Sequence, residues 1–297
     1  MSDHSPRVTA IIIVFNGEAF LDEAIASVRA QSFEDWELLV VDDGSTDGSV
    51  EVAARHARKD RRISIARHPD GRNHGMSATR NVGLAQAHGE LIGFLDADDV
   101  WEPLKLEEQV AVFDRHPEVG MVYGRTLIWH TWTARSDRPD FCYDLGVQPD
   151  SVQRPPTLFR QLLRNQHQTP TTCNALMRSE VCRDVGGFDD SFPALFEDQV
   201  FFSKVLLDRP TYVSGQLWAK YRQHRASTSS VSAAAAADEA ANIRFLRWLR
   251  TYVDGSPEAT IADRLAVEAA LVRIARRRVR RRLRRVLHFR ARGMGLR

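Results

Sequence analysis

Short apolar runs alternate with amphipathic stretches along the first hundred residues. Val8 to Phe15, VTAIIIVF, is a β-branched run that stops at the turn signal Asn16-Gly17 and predicts a buried strand. From Gly17 to Gln31, the residues Phe20, Leu21, Ala24, Ile25 and Val28 recur at helical spacing and predict a helix with one apolar face. Leu38 to Val41 predicts a second strand, running into Asp42-Asp43-Gly44-Ser45-Thr46-Asp47-Gly48, where Thr46 or Asp47 is placed to cap a helix reaching Arg58. Ile63 to Ala66 predicts a third strand and Ser77 to His88 a third helix. Next, Leu91-Ile92-Gly93-Phe94-Leu95 breaks off into Asp96-Ala97-Asp98-Asp99. Strands and helices alternating at about 30 residues per unit predict right-handed crossovers and an α/β fold, a mostly parallel sheet flanked by helices.

Past Asp99 the pattern loosens. Pro103 to His116 predicts a helix with proline in its first turn, Val119 to Tyr123 a strand, and Trp129 to Pro156, without period, an irregular excursion. Thr157 to Asn165 is predicted helical, Thr172 to Met177 a strand, and Ser179 to Val185 a helix closed by Gly186-Gly187. Glu197 to Asp208 starts acidic, as a helix N-terminus prefers, and Tyr212 to Tyr221 returns as a strand. Ala233 to Val253 and Ser256 to Phe289 predict two helices broken at Asp254-Gly255. In the second, Val272, Ala275, Val279, Leu283 and Val286 form an apolar stripe among arginines. This divides the chain into residues 1–230, with halves 1–100 and 101–230, and a helical extension, 231–297.

Charge sharpens that division. Residues 273–297 hold 12 Arg and no acid, which leaves 29 of the 41 basic side chains against 39 acidic ones in the remainder. The basic amphipathic tail suits an anionic membrane surface, an acidic partner, or packing of its stripe on the rest of the chain. Three cysteines, Cys142, Cys173 and Cys182, without a framework spacing, fit reduced thiols used for packing, hence a cytoplasmic protein. The polar start carries no apolar leader, and no apolar stretch is long enough to span a bilayer.

The chemistry gathers where strands end. Ligands of an open α/β sheet bind outside the carboxyl ends of its strands, and two strands here end in aspartates. Carboxylates as close as Asp96, Asp98 and Asp99 repel one another, and a hard divalent cation among them relieves the repulsion. An Asp-rich turn is the plain alternative.

Six motifs in order, spanning Val8 to about Ser230, resemble the family 2 glycosyltransferases, with their GT-A, Rossmann-like fold and usually inverting chemistry. They are Ile11-Ile12-Ile13-Val14-Phe15-Asn16; Val40-Val41-Asp42-Asp43-Gly44-Ser45-Thr46-Asp47; Asn73 to Gly83; Phe94-Leu95-Asp96-Ala97-Asp98-Asp99; Gly186-Gly187-Phe188-Asp189 with Glu197-Asp198; and Tyr221-Arg222-Gln223-His224. One departure is Ile13, where the family often has proline.

By this resemblance Asp98 is the ligand of Mn2+ or Mg2+, His224 completes metal or phosphate coordination, and Asp96 lies nearer the ribose. Asp99 is left between the metal and a helix cap. Asp43 reads the nucleotide base, with Ile13 and Phe15 packed around the ring, which favours UDP- or dTDP-sugars; an Asx-turn is the alternative for one of Asp42 and Asp43. Arg80 either meets the diphosphate or is solvated. Asp198 is the base that takes the acceptor hydroxyl's proton, supported by Glu197. The resemblance implies a nucleotide-sugar donor and a glycan or lipid-linked acceptor in bacterial surface polysaccharide or glycoconjugate synthesis; the membrane reading of the tail, peripheral contact of 273–297 with the inner membrane face, would suit a lipid-linked acceptor. Two other readings compete. A nucleotidyltransferase would be expected to carry a glycine-rich phosphate loop after the first strand, which Asn16-Gly17-Glu18 does not offer. A nucleic-acid-binding protein would use the arginine tail, but the acidic remainder opposes it, so no nucleic-acid partner is expected.

Overall fold

β1 (Val8–Val14) is buried at every position, which suits an unbroken β-branched run at the centre of a sheet covered on both faces. The computed structural model describes residues 5–133, 136–224, 227 and 235–293, with side chains of the last stretch described for 239–278. β1 pairs in parallel with β2 (Trp36–Asp42), which pairs in turn with β3 (Ile63–Arg67), and on its other side with β4 (Leu91–Asp96). On one face Val8, Ala10, Ile12 and Val14 share a core with Leu21, Ala24, Ile25 and Val28 of α1 (Glu18–Arg29) and Val52 and Ala53 of α2 (Ser49–Ala57). Asp47 does meet the start of α2, its carboxylate accepting from Ser49 N at 3.0 Å, although the helix begins later than Thr46 or Asp47 would set it.

α3 (Met76–Gln86) covers the opposite face and comes very close to it at Gly83. A Cβ there would lie 2.6 Å from Ile11 Cγ2 and 3.3 Å from Val41 Cγ2. Both neighbours are stiff β-branched side chains in a packed core. Gly83→Val is therefore expected to destabilise the protein by about 1–3 kcal/mol in urea denaturation, and Ile11→Ala added to it should return part of the loss.

The second half holds β5 (Val100–Trp101), α4 (Lys105–Arg115), β6 (Met121–Trp129), β7 (Ser151–Gln153), α5 (Thr157–Arg164), β8 (Leu176–Arg178), α6 (Ser179–Asp184), α7 (Glu197–Asp208) and β9 (Thr211–Arg222). The described strands form one sheet in the order β3-β2-β1-β4-β8-β6-β9-β5, with β7 paired to β9. Parallel pairing runs through β3-β2-β1-β4 and recurs between β6 and β9, while β8 is antiparallel to both its neighbours. The strand predicted over Thr172 to Met177 shortens to β8 because a turn occupies its first half. Asn174 N and Ala175 N both donate to Thr171 O, at 3.2 and 3.1 Å. The excursion over Trp129 to Pro156 is less irregular than its sequence: β7 and an Ile128–Phe141 bridge tie it to the sheet.

The chain divides into two compact units, Met1–Ser232 and Ala233–Arg297. In the second, α8 (Ala235–Gly255) packs on α9 (Ile261–Gly293). α9 starts later than predicted, at a reciprocal cap: Thr260 N donates to Asp263 Oδ2 at 3.0 Å and Asp263 N to Thr260 Oγ1 at 3.3 Å. The side chains of Val279, Leu283 and Val286 lie outside the described residues. No helix among the described residues is long and apolar enough to cross a membrane.

Candidate active site

The register of the parallel strands sets the site. Val14 sits opposite Asp42 and Ile13 opposite Asp96, so the ends of β2 and β4 flank the end of β1. Asp42 closes the turn after β2, accepting from Ser45 N at 3.2 Å, which assigns the Asx-type turn to it. Asp43 is buried, its two oxygens accepting from His74 N at 2.7 Å and Gly75 N at 3.0 Å. The glycine-containing entry to α3 is thereby hung on the second strand motif. Ile13 is buried, and Phe15 stands half exposed beyond the end of β1.

Arg80 is the joint of the site. It lies on α3 with 1 % of its surface exposed, donating through Nη2 to Asp96 Oδ1 at 2.7 Å and through Nη1 to Glu197 Oε1 at 3.0 Å. Burial opposes its charge, and the two carboxylates more than offset that. The solvated reading of Arg80 is thus excluded: the helix face it occupies turns inward, between β4 and α7. Asp96 uses its other oxygen to accept from Thr172 Oγ1 at 2.9 Å.

The Gly186-Gly187-Phe188-Asp189 signature braces this joint. Gly186 and Gly187 both take positive φ, 72° and 62°, to close α6, and a Cβ on Gly187 would lie 2.7 Å from Asn81 Oδ1. The Asn81 side chain exchanges two hydrogen bonds with the Phe188 backbone, each 2.9 Å. Phe188 then stacks on Phe201 of α7, centroids 4.2 Å apart, beneath the Arg80 guanidinium.

α7 begins after Phe196, which holds φ at 66°, a strained conformation for a bulky side chain of the kind that gathers at functional sites. Glu197 is buried against Arg80, and burial, reinforced by the Asp198 charge, pushes its carboxyl up to about 8 against the pull of Arg80. Asp198 is half-buried and accepts from Gln199 N at 2.7 Å; burial raises its carboxyl above the ordinary aspartate range, with the Gln199 N–H and Arg80 opposing.

On the other flank, Asp98 Oδ2 lies 2.8 Å from His224 Nε2, bringing together two residues 126 apart in sequence. Asp99 does not cap a helix, since β5 follows it; its Oδ1 accepts from Arg222 N at 3.0 Å. Burial, then the charges of Asp98 and Asp96, pushes the Asp99 carboxyl well up. Its Oδ2, also buried, has no close hydrogen-bond partner among the described residues beyond the neighbouring Cys173 thiol. The repulsion among Asp96, Asp98 and Asp99 is thus felt in the fold, and a hard cation is what would relieve it. No group of three or more His, Cys, Asp or Glu among the described residues is set to hold a metal alone. A hard cation that keeps waters and binds substrate phosphates needs only one or two protein carboxylates, and Asp98, with the His224 imidazole beside it, has the chemistry for that.

Sequence reasoning passed over Arg222 and its surroundings. Its Nε donates to Asp98 O at 2.7 Å, and its guanidinium packs over Phe20, Trp129 and Trp132 at 5.1, 4.5 and 5.1 Å. Phe20, predicted on the apolar face of the first helix, sits 4.7 Å from the His224 ring. The three aromatics come from α1, β6 and the loop after it, so only the fold unites them.

A sheet with a parallel first half, acids on its carboxyl edge and a second acidic pair facing them from α7 defines the GT-A class of α/β proteins. The chain belongs to glycosyl transferase family 2, whose model matches residues 9–186. It is 41% identical over 105 residues to an uncharacterized glycosyltransferase of Haemophilus influenzae, covering 35% of this chain and 41% of that one. It is also 34% identical over 110 residues to a putative teichuronic acid biosynthesis glycosyltransferase, TuaG, of Bacillus subtilis, 37% of this chain and 43% of that one. The chain thus spans less than half the length of these curated relatives. Among solved structures, S. aureus TarS 1-349 in complex with UDP-GlcNAc superposes with a TM-score of 0.68 at 19% identity, over 91% of this chain and 71% of that one. The mannosyltransferase PcManGT of Pyrobaculum calidifontis, in complex with GDP-Man and Mn2+, superposes with a TM-score of 0.57 at 17% identity, over 92% and 74%. At these identities the superpositions speak for the fold.

Proposed function

We propose that this chain transfers a sugar, with inversion, from a nucleoside-diphosphate donor to an acceptor hydroxyl of a glycan or lipid-linked acceptor, on the cytoplasmic side, in the synthesis of surface polysaccharide or a related glycoconjugate. The observation that carries it is Arg80, which joins Asp96 on the donor edge to Glu197 beside the candidate base. Asp98 and His224 would hold Mn2+ or Mg2+, which when bound offsets the charge that grows on a departing diphosphate. Asp43, with Ile13 and Phe15, would take the base, and a carboxylate there suits the N–H of a uracil or thymine ring. Asp198 would accept the acceptor hydroxyl's proton, its raised carboxyl bringing its basicity nearer to neutral pH. The likeness to TuaG, a putative teichuronic acid biosynthesis glycosyltransferase, supports a surface-polymer setting; the neighbours in complex with UDP-GlcNAc and with GDP-Man put both uridine and guanosine donors in the test.

A panel of UDP-, dTDP- and GDP-sugars with Mn2+ or Mg2+ tests the reading by thermal stabilisation, since a ligand bound only to the folded state raises the melting temperature. One donor should stabilise the protein in a metal-dependent way, and Asp98→Asn should remove most of that shift while leaving the melting temperature without ligand nearly unchanged. Absence of metal-dependent stabilisation by every donor would sink the proposal.

A further inference from the structure

Three residues near the start of α9, Ile261, Leu265 and Val272, are 73%, 63% and 46% exposed. Spacings of 4 and 7 residues put them on one helical face. That face is not the one buried in the fold, which carries Val267 and Ala270 at 0% and 3% exposure. In sequence the same phase continues at Val279, Leu283 and Val286, so the stripe of the basic tail is the prolongation of an exposed apolar face.

Charge selects the occupant. Arg273, Arg276, Arg277 and Arg278 are exposed, and residues 273–297 carry 12 Arg without an acid. Of the acids nearer the start of the helix, Asp263 is held in its buried cap, and Glu268, 50% exposed and in phase with Ile261 and Val272, is the one acid on that face, paired with Arg250 at 3.7 Å. A nucleic acid would use the arginines and leave the apolar stripe in water. A second copy of this chain would bring arginine against arginine. A bilayer with anionic headgroups takes both at once, apolar stripe into the acyl boundary and guanidinium groups among the phosphates.

We propose that α9 is a surface anchor that lies along an anionic lipid bilayer through the face of Ile261, Leu265 and Val272. The inference is independent of the sugar-transfer reading, because its test has no activity readout.

The test is co-flotation of the full-length protein with vesicles of phosphatidylcholine alone or mixed with phosphatidylglycerol, beside the variant Leu265→Ser/Val272→Ser. Both positions are exposed, so an unchanged melting curve verifies the fold of the variant. Flotation with the anionic vesicles only, reduced about tenfold or more in the variant, is the expected result. Absence of flotation with anionic vesicles overturns the proposal, as does parent-like flotation of the variant. Displacement of bound vesicles by a short DNA duplex at equal phosphate concentration also overturns it, in favour of nucleic acid. A vesicle-free dimer that the same variant dissociates would assign the face to a second copy instead.

Discussion

Asp198→Asn is expected to lower turnover by about a thousandfold while leaving the donor's thermal stabilisation at its parent value, the signature of a lost general base. The substitution keeps the shape of the side chain and its place at the head of α7, and removes only the capacity to take a proton. In the proposed function donor binding falls to Asp98, His224 and Asp43, which sit on the strand ends and the closing segment rather than on α7. The pH profile supplies a second check. Burial raises the Asp198 carboxyl, so it stays protonated, and inactive as a base, to a higher pH than an ordinary aspartate. Turnover should therefore rise with pH along a limb displaced above the usual aspartate range, and Asp198→Asn should abolish that limb. Parent-like turnover in the variant would move the base elsewhere.

What could be read from the sequence depended on how locally each feature is determined. The parallel half of the sheet was legible because β1, β2 and β4 are each built on a short apolar run, and the acid edge because Asp96, Asp98 and Asp99 end or follow one of them. β5 and β7, two and three residues long, lie below any periodicity and exist because the twelve-residue β9 offers them edges. The roles of Arg80 and Arg222 were illegible for another reason. An arginine on a helix or at a strand end looks the same whether it meets water or a carboxylate, and the partners of Arg80 lie 16 and 117 residues away. A usable signal was the run of small residues Ser77, Ala78, Thr79 and Gly83 around Arg80: a helix so poor in large side chains can sit close to the sheet and draw an arginine inside. For Arg222 the signal was weaker, three aromatics scattered over more than a hundred residues.

The joint made by Arg80 yields the largest expected effect on stability. Arg80→Met keeps much of the side chain's volume and removes its charge, leaving Glu197 buried without a counter-ion. Above pH 8, where Glu197 is ionised despite its raised carboxyl, breaking one side of a buried pair costs about 3–5 kcal/mol, because the remaining charge has no solvent to return to; nearer neutral pH Glu197 takes a proton instead and the cost shrinks. Asp96 is a lesser part of that cost, since its side chain is 26% exposed and can be rehydrated. The effect therefore depends on Glu197, and the pair can be separated from the fold by a double substitution. Arg80→Met/Glu197→Gln should recover about 1–2 kcal/mol of the loss in urea denaturation, whereas two independent sites would give additive costs. Catalysis should not recover with it, since the cycle restores electrical balance without restoring the bridge from the donor edge to the start of α7. A folded double variant with parent-like turnover would show that Asp198 is aimed by its own helix alone, and a single variant costing under about 1 kcal/mol above pH 8 would show that water reaches Glu197 after all.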